Sequence, residues 1–316
     1  MYAYLIRRLI EMVPTLLLVT LATFCMTLLL PGDPVTAMVA TGVQVDQAVV
    51  NRFKHDLGLD QPIPIQYINW VGKALRGDLG TSMATRQPVT REFLNRAPAT
   101  LQLGVLGFIL SVVISIPAGI VSAVKRNSWL DSLTTVLSMA GVAIPGFFLG
   151  ILMIFVFAVA LGWLPASGFV SITENPVDGL RYLAMPAFSL AVAMAATNVR
   201  QTRSAMLEVL AQDYVRTARA KGLRERSVIW LHALKNALLP VVTIMGMMIG
   251  RLIAGEVIIE QVFAIPGIGR WAVQAIFLKD FTVVQAFVLV AAVATLLANL
   301  ATDLLYGLLD PRIRYT

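Results

Sequence analysis

Apolar positions gather into six long runs, approximately residues 9–30, 101–124, 133–161, 183–199, 238–259 and 283–309, with polar stretches between them. A helix needs roughly 20 apolar residues to cross about 30 Å of hydrocarbon. The pattern therefore predicts an all-α integral membrane protein with six transmembrane helices. Several runs are interrupted, at Pro117 and Gly119, at Gly141, Pro145 and Gly146, at Pro186, and at Gly246 and Gly250. Proline frees a backbone carbonyl and glycine permits close helix approach, so these positions predict bends and tight crossings.

The segments between runs carry their own periodicities. The first run follows Arg7 and Arg8 and is too long for a signal core, so it is read as retained. Residues 31–98 read as a small external subdomain. Within it Val45, Val49, Val50, Phe53 and Leu57 recur at helical spacing behind Asp46 as N-cap, and Gly58 ends that helix. Pro62 and Pro64 then precede a second short amphipathic helix carrying Tyr67, Trp70, Val71 and Leu75. The chain divides accordingly into residues 1–98, the first transmembrane helix with the external subdomain, and residues 99–316, a five-helix core. After the fifth run, Pro266, Gly267 and Gly269 predict a turn, followed by a short interfacial helix from Trp271 to Leu278.

Composition agrees: 58% of the 316 residues are hydrophobic and 14% charged, with mean hydropathy +0.78. Soluble domains average about 25% charged. Arg7, Arg8, Lys125, Arg126, eight Lys and Arg between Arg200 and Lys235, Arg312 and Arg314 all fall on one side if the chain starts inside. Short cytoplasmic loops hold such an excess, so both termini are placed in the cytoplasm. The net charge of +7 thus reflects topology and not nucleic-acid binding. Cys25 is the sole cysteine, which excludes an intramolecular disulfide.

Charge inside a span is costly and therefore selective. Arg251 and Glu256 lie in the fifth run, and Glu256 and Glu260 share a helix face at i, i+4. That face is expected either to border a polar pathway or a partner subunit or to serve a purely structural hydrogen-bonding role. A phosphate loop, HExxH and GxSxG are all missing from the sequence, and His55 and His232 fall on opposite sides of the membrane. Energy for pumping must come from elsewhere, and no metal or catalytic site is expected.

The connector DYVRTARAKGLRERSVIWLHALKNALLP, Asp213 to Pro240, holds the densest charge in the chain. Leu210, Tyr214 and Ala218 recur every four residues and predict an apolar helix face, with Arg216, Arg219 and Lys221 turned away. Gly222 ends that helix, and Ser227 to Leu234 begins the next. Ala218, Ala220 and Gly222 leave room for close approach by another surface. A helix, turn and helix of this kind suits a groove on a soluble protein; a basic amphipathic helix on anionic lipid has the same make-up. Residue physics alone leaves both open.

The stretch from Arg216 to Lys235 resembles the coupling loop of ABC importer permeases, with Ala218, Gly222 and Leu234 on its Ala, Gly and Leu positions. Arg216, Thr217, His232 and Lys235 depart from the general pattern in the manner of the peptide and nickel subfamily. PGDP, LGLDQP, GDLGTS, VFAIPGIGR and DPRIRY are similar to that subfamily too, so the resemblance covers nearly the whole chain. It implies a type I importer fold and a B-type permease subunit in a bacterial inner (plasma) membrane. Its partners would be a second homologous permease, two cytoplasmic ATPase subunits and an external substrate-binding protein. It implies no cofactor on this chain, with ATP and magnesium on the ATPases, and a solute such as a dipeptide, oligopeptide, glutathione or nickel. Asp213, Tyr214, Arg216, Thr217, Ala218, Arg219, Ala220, Lys221 and Gly222 would form the ATPase-docking site. A stand-alone proton-coupled carrier or channel is the alternative.

Overall fold

The computed structural model describes residues 2–29, 60–254 and 256–309. The helix expected from Val45 to Leu57 and the PGDP and DPRIRY motifs lie outside them. Regular structure among the described residues is helical, apart from an isolated bridge between Thr81 and Pro88. In chain order the helices are α1 (Tyr2–Leu29), α2 (Ile63–Leu75), α3 (Val89–Val124), α4 (Trp129–Ala143), α5 (Gly146–Met153, continuing as a π-helix over Ile154–Ala160) and α6 (Pro176–Leu210). Then come α7 (Asp213–Ala220), α8 (Glu225–Ser227), a π-helical stretch Val228–Ala233, α9 (Leu234–Ala254), α10 (Val257–Val262), α11 (Ile268–Phe277) and α12 (Phe281–Leu309).

Among the described residues, four helices are long and apolar enough to cross a membrane: Val89–Val124, Pro176–Leu210, Glu225–Ile249 and Phe281–Thr302. The third expected span is a broken pair instead of one rod, with α4 and its continuation Gly146–Ala160 meeting at 99°. Ile144 lies before Pro145 and is forced out of the helical region, to φ −81 and ψ 120, which ends α4 there. The fifth expected span also stops early, because α9 closes at Ala254 and α10 starts afresh. α1 has 28 residues, and its described apolar part, Ile10–Cys25, is shorter than a full span.

α3 and α6 form the spine of the bundle. Their backbones approach closely where Gly107 faces Leu190 and Gly119 faces Thr202, positions at which a Cβ would stand 2.7 and 2.6 Å from the opposing side chain. α6 begins with Asn175 accepting from the Asp178 backbone N–H at 3.2 Å and with Pro176 in its first turn, both favourable at a helix start. Near the N-terminal end of α3, Leu103, Leu183, Met185, Leu190, Phe263 and Ile265 pack into one core, and Val89, Trp271, Ala275, Val283 and Ala286 form another. At the C-terminal end of α3, Ile120 and Ala123 meet Met206, Ile229 and Ala233. On α2, Tyr67 packs edge-on and Trp70 tilted against Phe24 of α1, and the Tyr67 hydroxyl hydrogen-bonds Thr20 Oγ1 at 2.8 Å.

Candidate functional site

The basic connector folds as expected into a helix, a turn and a second helix, but its faces are distributed differently. α6 ends at Ala211, and Gln212 turns extended at ψ 149 before α7 starts. That break resets the helical phase, so the spacing of Leu210, Tyr214 and Ala218 across it does not describe one face. The inward residues of α7 are Val215, 0% exposed, and Ala218, 7% exposed, which pack on Val228. Ala218 is small because it sits against its own chain. Tyr214 stands at the surface, where its hydroxyl accepts from Asn236 Nδ2 at 2.7 Å.

Asp213, Arg216, Thr217, Arg219, Ala220, Lys221 and Gly222 are exposed with Tyr214. Thr217 Oγ1 donates to the Asp213 carbonyl at 2.9 Å, and Arg216 reaches the Asp213 carboxylate at 3.5 Å. Arg219 grips Glu225 with both Nε (3.2 Å) and Nη2 (2.7 Å), which closes the turn and raises its guanidinium pKa above the ordinary value. Gly222 takes φ +78 with open space around its Cα, so conformation, not crowding, calls for glycine there. The result is a short helix pinned from beneath and charged on top.

At the other end of the bundle the two expected pathway acids separate. Glu256 precedes α10 as its N-cap and helps line a cavity of about 490 Å3 with Pro145, Gly146, Phe147, Ser189 and Thr197. Glu260 is 0% exposed. Its Oε1 accepts from the Thr100 hydroxyl at 2.6 Å and its Oε2 from the Arg270 backbone N–H at 2.8 Å, while Thr100 Oγ1 accepts from the Ile268 N–H at 2.9 Å. Arg270 also donates through Nη1 to the Ala264 carbonyl at 2.6 Å. A Cβ at Gly267 would run into the carboxylate, which explains that glycine in the PGIGR turn. Glu260 is thus enclosed by its own chain, whereas Glu256, at the start of α10, lines the cavity. Arg251 lies on α9 with its side chain outside the described residues.

A second network went unread in the sequence. Asp280 is 2% exposed, caps α12 through the Val283 N–H at 3.3 Å, and accepts from the Ser82 hydroxyl at 2.5 Å and the Ala84 N–H at 3.1 Å. It ties GDLGTS to the start of α12. An Asp just before an apolar run is the only local signal for it; its partners lie nearly 200 residues away.

Membrane-length helices, a cavity at a kinked pair and a basic helix–turn–helix together define a polytopic helical transport component. The chain belongs to the binding-protein-dependent transport system inner membrane component family, whose model matches residues 115–315, with the family's N-terminal region matching residues 1–104. It is similar to the glutathione transport system permease protein GsiC of Pectobacterium atrosepticum, 42% identical over 315 residues and 100% of both chains. The oligopeptide transport system permease protein AppB of Bacillus subtilis is 43% identical over 318 residues, again 100% of both. The di/tripeptide transport system permease protein DppB of Pseudomonas aeruginosa is 41% identical over 335 residues, covering 100% of this chain and 99% of its own. Among solved structures, the inward-facing MetNI methionine ABC transporter shares the fold at TM-score 0.58 and 19% identity, over 69% of this chain and 96% of that one. The chain is therefore a multi-pass inner-membrane permease subunit of an ABC importer, a transport subunit and not an enzyme. The family implies ATPase and substrate-binding partners.

Proposed function

We propose that the chain is the B-type half of a heteromeric importer of short peptides. It has six spans with both termini cytoplasmic and pairs with a second homologous permease. Two cytoplasmic ATPases carry ATP and magnesium, and an external binding protein selects the solute. An ATPase grips the exposed top of α7 through Asp213, Tyr214, Arg216, Thr217, Arg219, Ala220, Lys221 and Gly222, with Ala218 holding that surface up from below. Closure of the ATPase pair moves the loop, and the spans tilt to open the path inward. Such coupling requires different loop contacts in the two states. Glu256, in the cavity wall, and Arg251 belong to the pathway or to the seam with the second permease.

The observation that carries this reading is α7 itself. Its apolar residues are already satisfied within the chain, so its charged face is free for a soluble partner and carries no apolar stripe for lipid. Peptide as substrate rests on the relatives named for glutathione, oligopeptide and di/tripeptide transport, which share the peptide backbone. The test is purification of the tagged chain with its partner subunits, followed by reconstitution into vesicles. Labelled di- and tripeptides should enter only with ATP and loaded binding protein. Uptake by this chain alone, driven by a proton gradient, would refute the reading.

A further inference from the structure

The turn between α3 and α4 holds a charge pair that takes no part in the docking surface. Asp131, in the first turn of α4, is 5% exposed, and both of its oxygens are filled. Oδ1 accepts from the Ser122 hydroxyl at 2.6 Å and from Arg203 Nε at 2.7 Å; Oδ2 accepts from the Asn127 backbone N–H at 3.0 Å and from Arg203 Nη2 at 2.9 Å. Two parallel N–H donors on one carboxylate fix orientation as well as distance, a geometry available to Arg and not to Lys. Packed apolar side chains would hold two helices together as firmly. A half-buried fork suits elements that must keep one register while they move.

Its location is consistent with that role. Arg203 lies about two turns before the end of α6, and α7 follows immediately. Around that end, Ile120, Ala123, Met206, Ile229 and Ala233 join α3, α6 and the start of the fifth span, but no residue of α4 belongs to this cluster. Farther along, α4 meets α6 closely where Gly141 faces Ala196 and Val192, and a Cβ on Gly141 would stand 2.9 Å from Ala196 Cβ. α4 then leads to the 99° bend, beyond which Gly146 and Phe147 line the cavity.

We infer that the Asp131–Arg203 fork transmits displacement of the docking loop to the kinked α4–α5 pair at the cavity wall, as a positioning pair for transport. The inference rests on the import reading above. It is tested in the assembled transporter by peptide taken up per ATP hydrolysed, for Asp131→Asn, Arg203→Gln, their combination, and Arg203→Lys. Each single variant should hydrolyse ATP at the wild-type basal rate per assembled complex while uptake per ATP falls at least about fivefold, the lower end of coupling between sites. The double variant should fall no further, since either change already breaks the fork. Arg203→Lys keeps the charge and the fold but loses the fork, so it should fall too. A wild-type ratio in Arg203→Lys, or losses in the double variant that multiply, would overturn the inference. A wild-type complex that hydrolyses ATP yet admits no peptide would instead refute the import reading.

Discussion

Gly222 and Glu260 show how single residues set the two ends of the molecule. At φ +78 a residue bearing a Cβ is strained by roughly 1–2 kcal/mol, most for a β-branched one and least for Asn. Space around Gly222 is open, so Gly222→Val is expected to insert normally yet lose most ATP-dependent uptake because the turn re-aims α7, while Gly222→Asn keeps most of it. Uptake normalised to the amount of subunit in the membrane distinguishes the two. Glu260 makes a different case. Glu260→Ala strands the Thr100 hydroxyl and the Arg270 N–H, at about 1–3 kcal/mol for each buried group left unpaired, and should lower the melting temperature clearly. Glu256→Gln should alter uptake, because that residue lines a cavity. A wild-type melting temperature in Glu260→Ala would contradict the enclosure of Glu260.

Helices are where the sequence was most legible, and where its limits have clear causes. Run length reports the membrane, an outside constraint, so the long spans α3, α6, α9 and α12 could be read from hydropathy alone. Pro145 and Gly146 marked a break, but the 99° angle depends on what α5 packs against, as at Gly150 facing Phe263. The phase error in the docking loop arose because Leu210 and Tyr214 belong to different helices, a discontinuity that Gln212 does not advertise. Asp131 and Arg203 are 72 residues apart, and pairing at that distance is a property of the packed bundle. Close packing can be tested directly. A Cβ on Gly119 would stand 2.6 Å from Thr202 Cβ, so Gly119→Val should overpack the α3–α6 seam at a cost of about 1–3 kcal/mol and lower the detergent melting temperature. Gly72 in α2 has nothing within 4 Å of such a Cβ and an ordinary φ. Gly72→Ala should therefore be neutral or stabilising by about 0.5–1 kcal/mol in the same measurement.

For the molecule as a whole, the length of α3 turns the charge pattern into a statement about sidedness. Its 36 residues rise about 54 Å, more than the roughly 40–45 Å of a bilayer with its headgroups. The two ends of α3 therefore emerge on opposite faces. The C-terminal end carries Lys125 and Arg126 and packs beside the connector with its six basic residues. The other end joins the 171–174 loop, through Gln102 Nε2 donating to Ser171 Oγ at 2.9 Å, and the Glu260 network. Since basic residues in short loops are retained inside, the connector end is expected to face the cytoplasm. In a Cys25→Ala background, Arg126→Cys and Lys221→Cys should react with a membrane-impermeant maleimide only in inverted vesicles, and Glu174→Cys only in intact cells; all three side chains are exposed. Labelling of all three from one side would contradict the spanning of α3 itself. The reverse labelling would keep the fold and place α7 outside, where no ATP-hydrolysing partner in the cytoplasm could reach it.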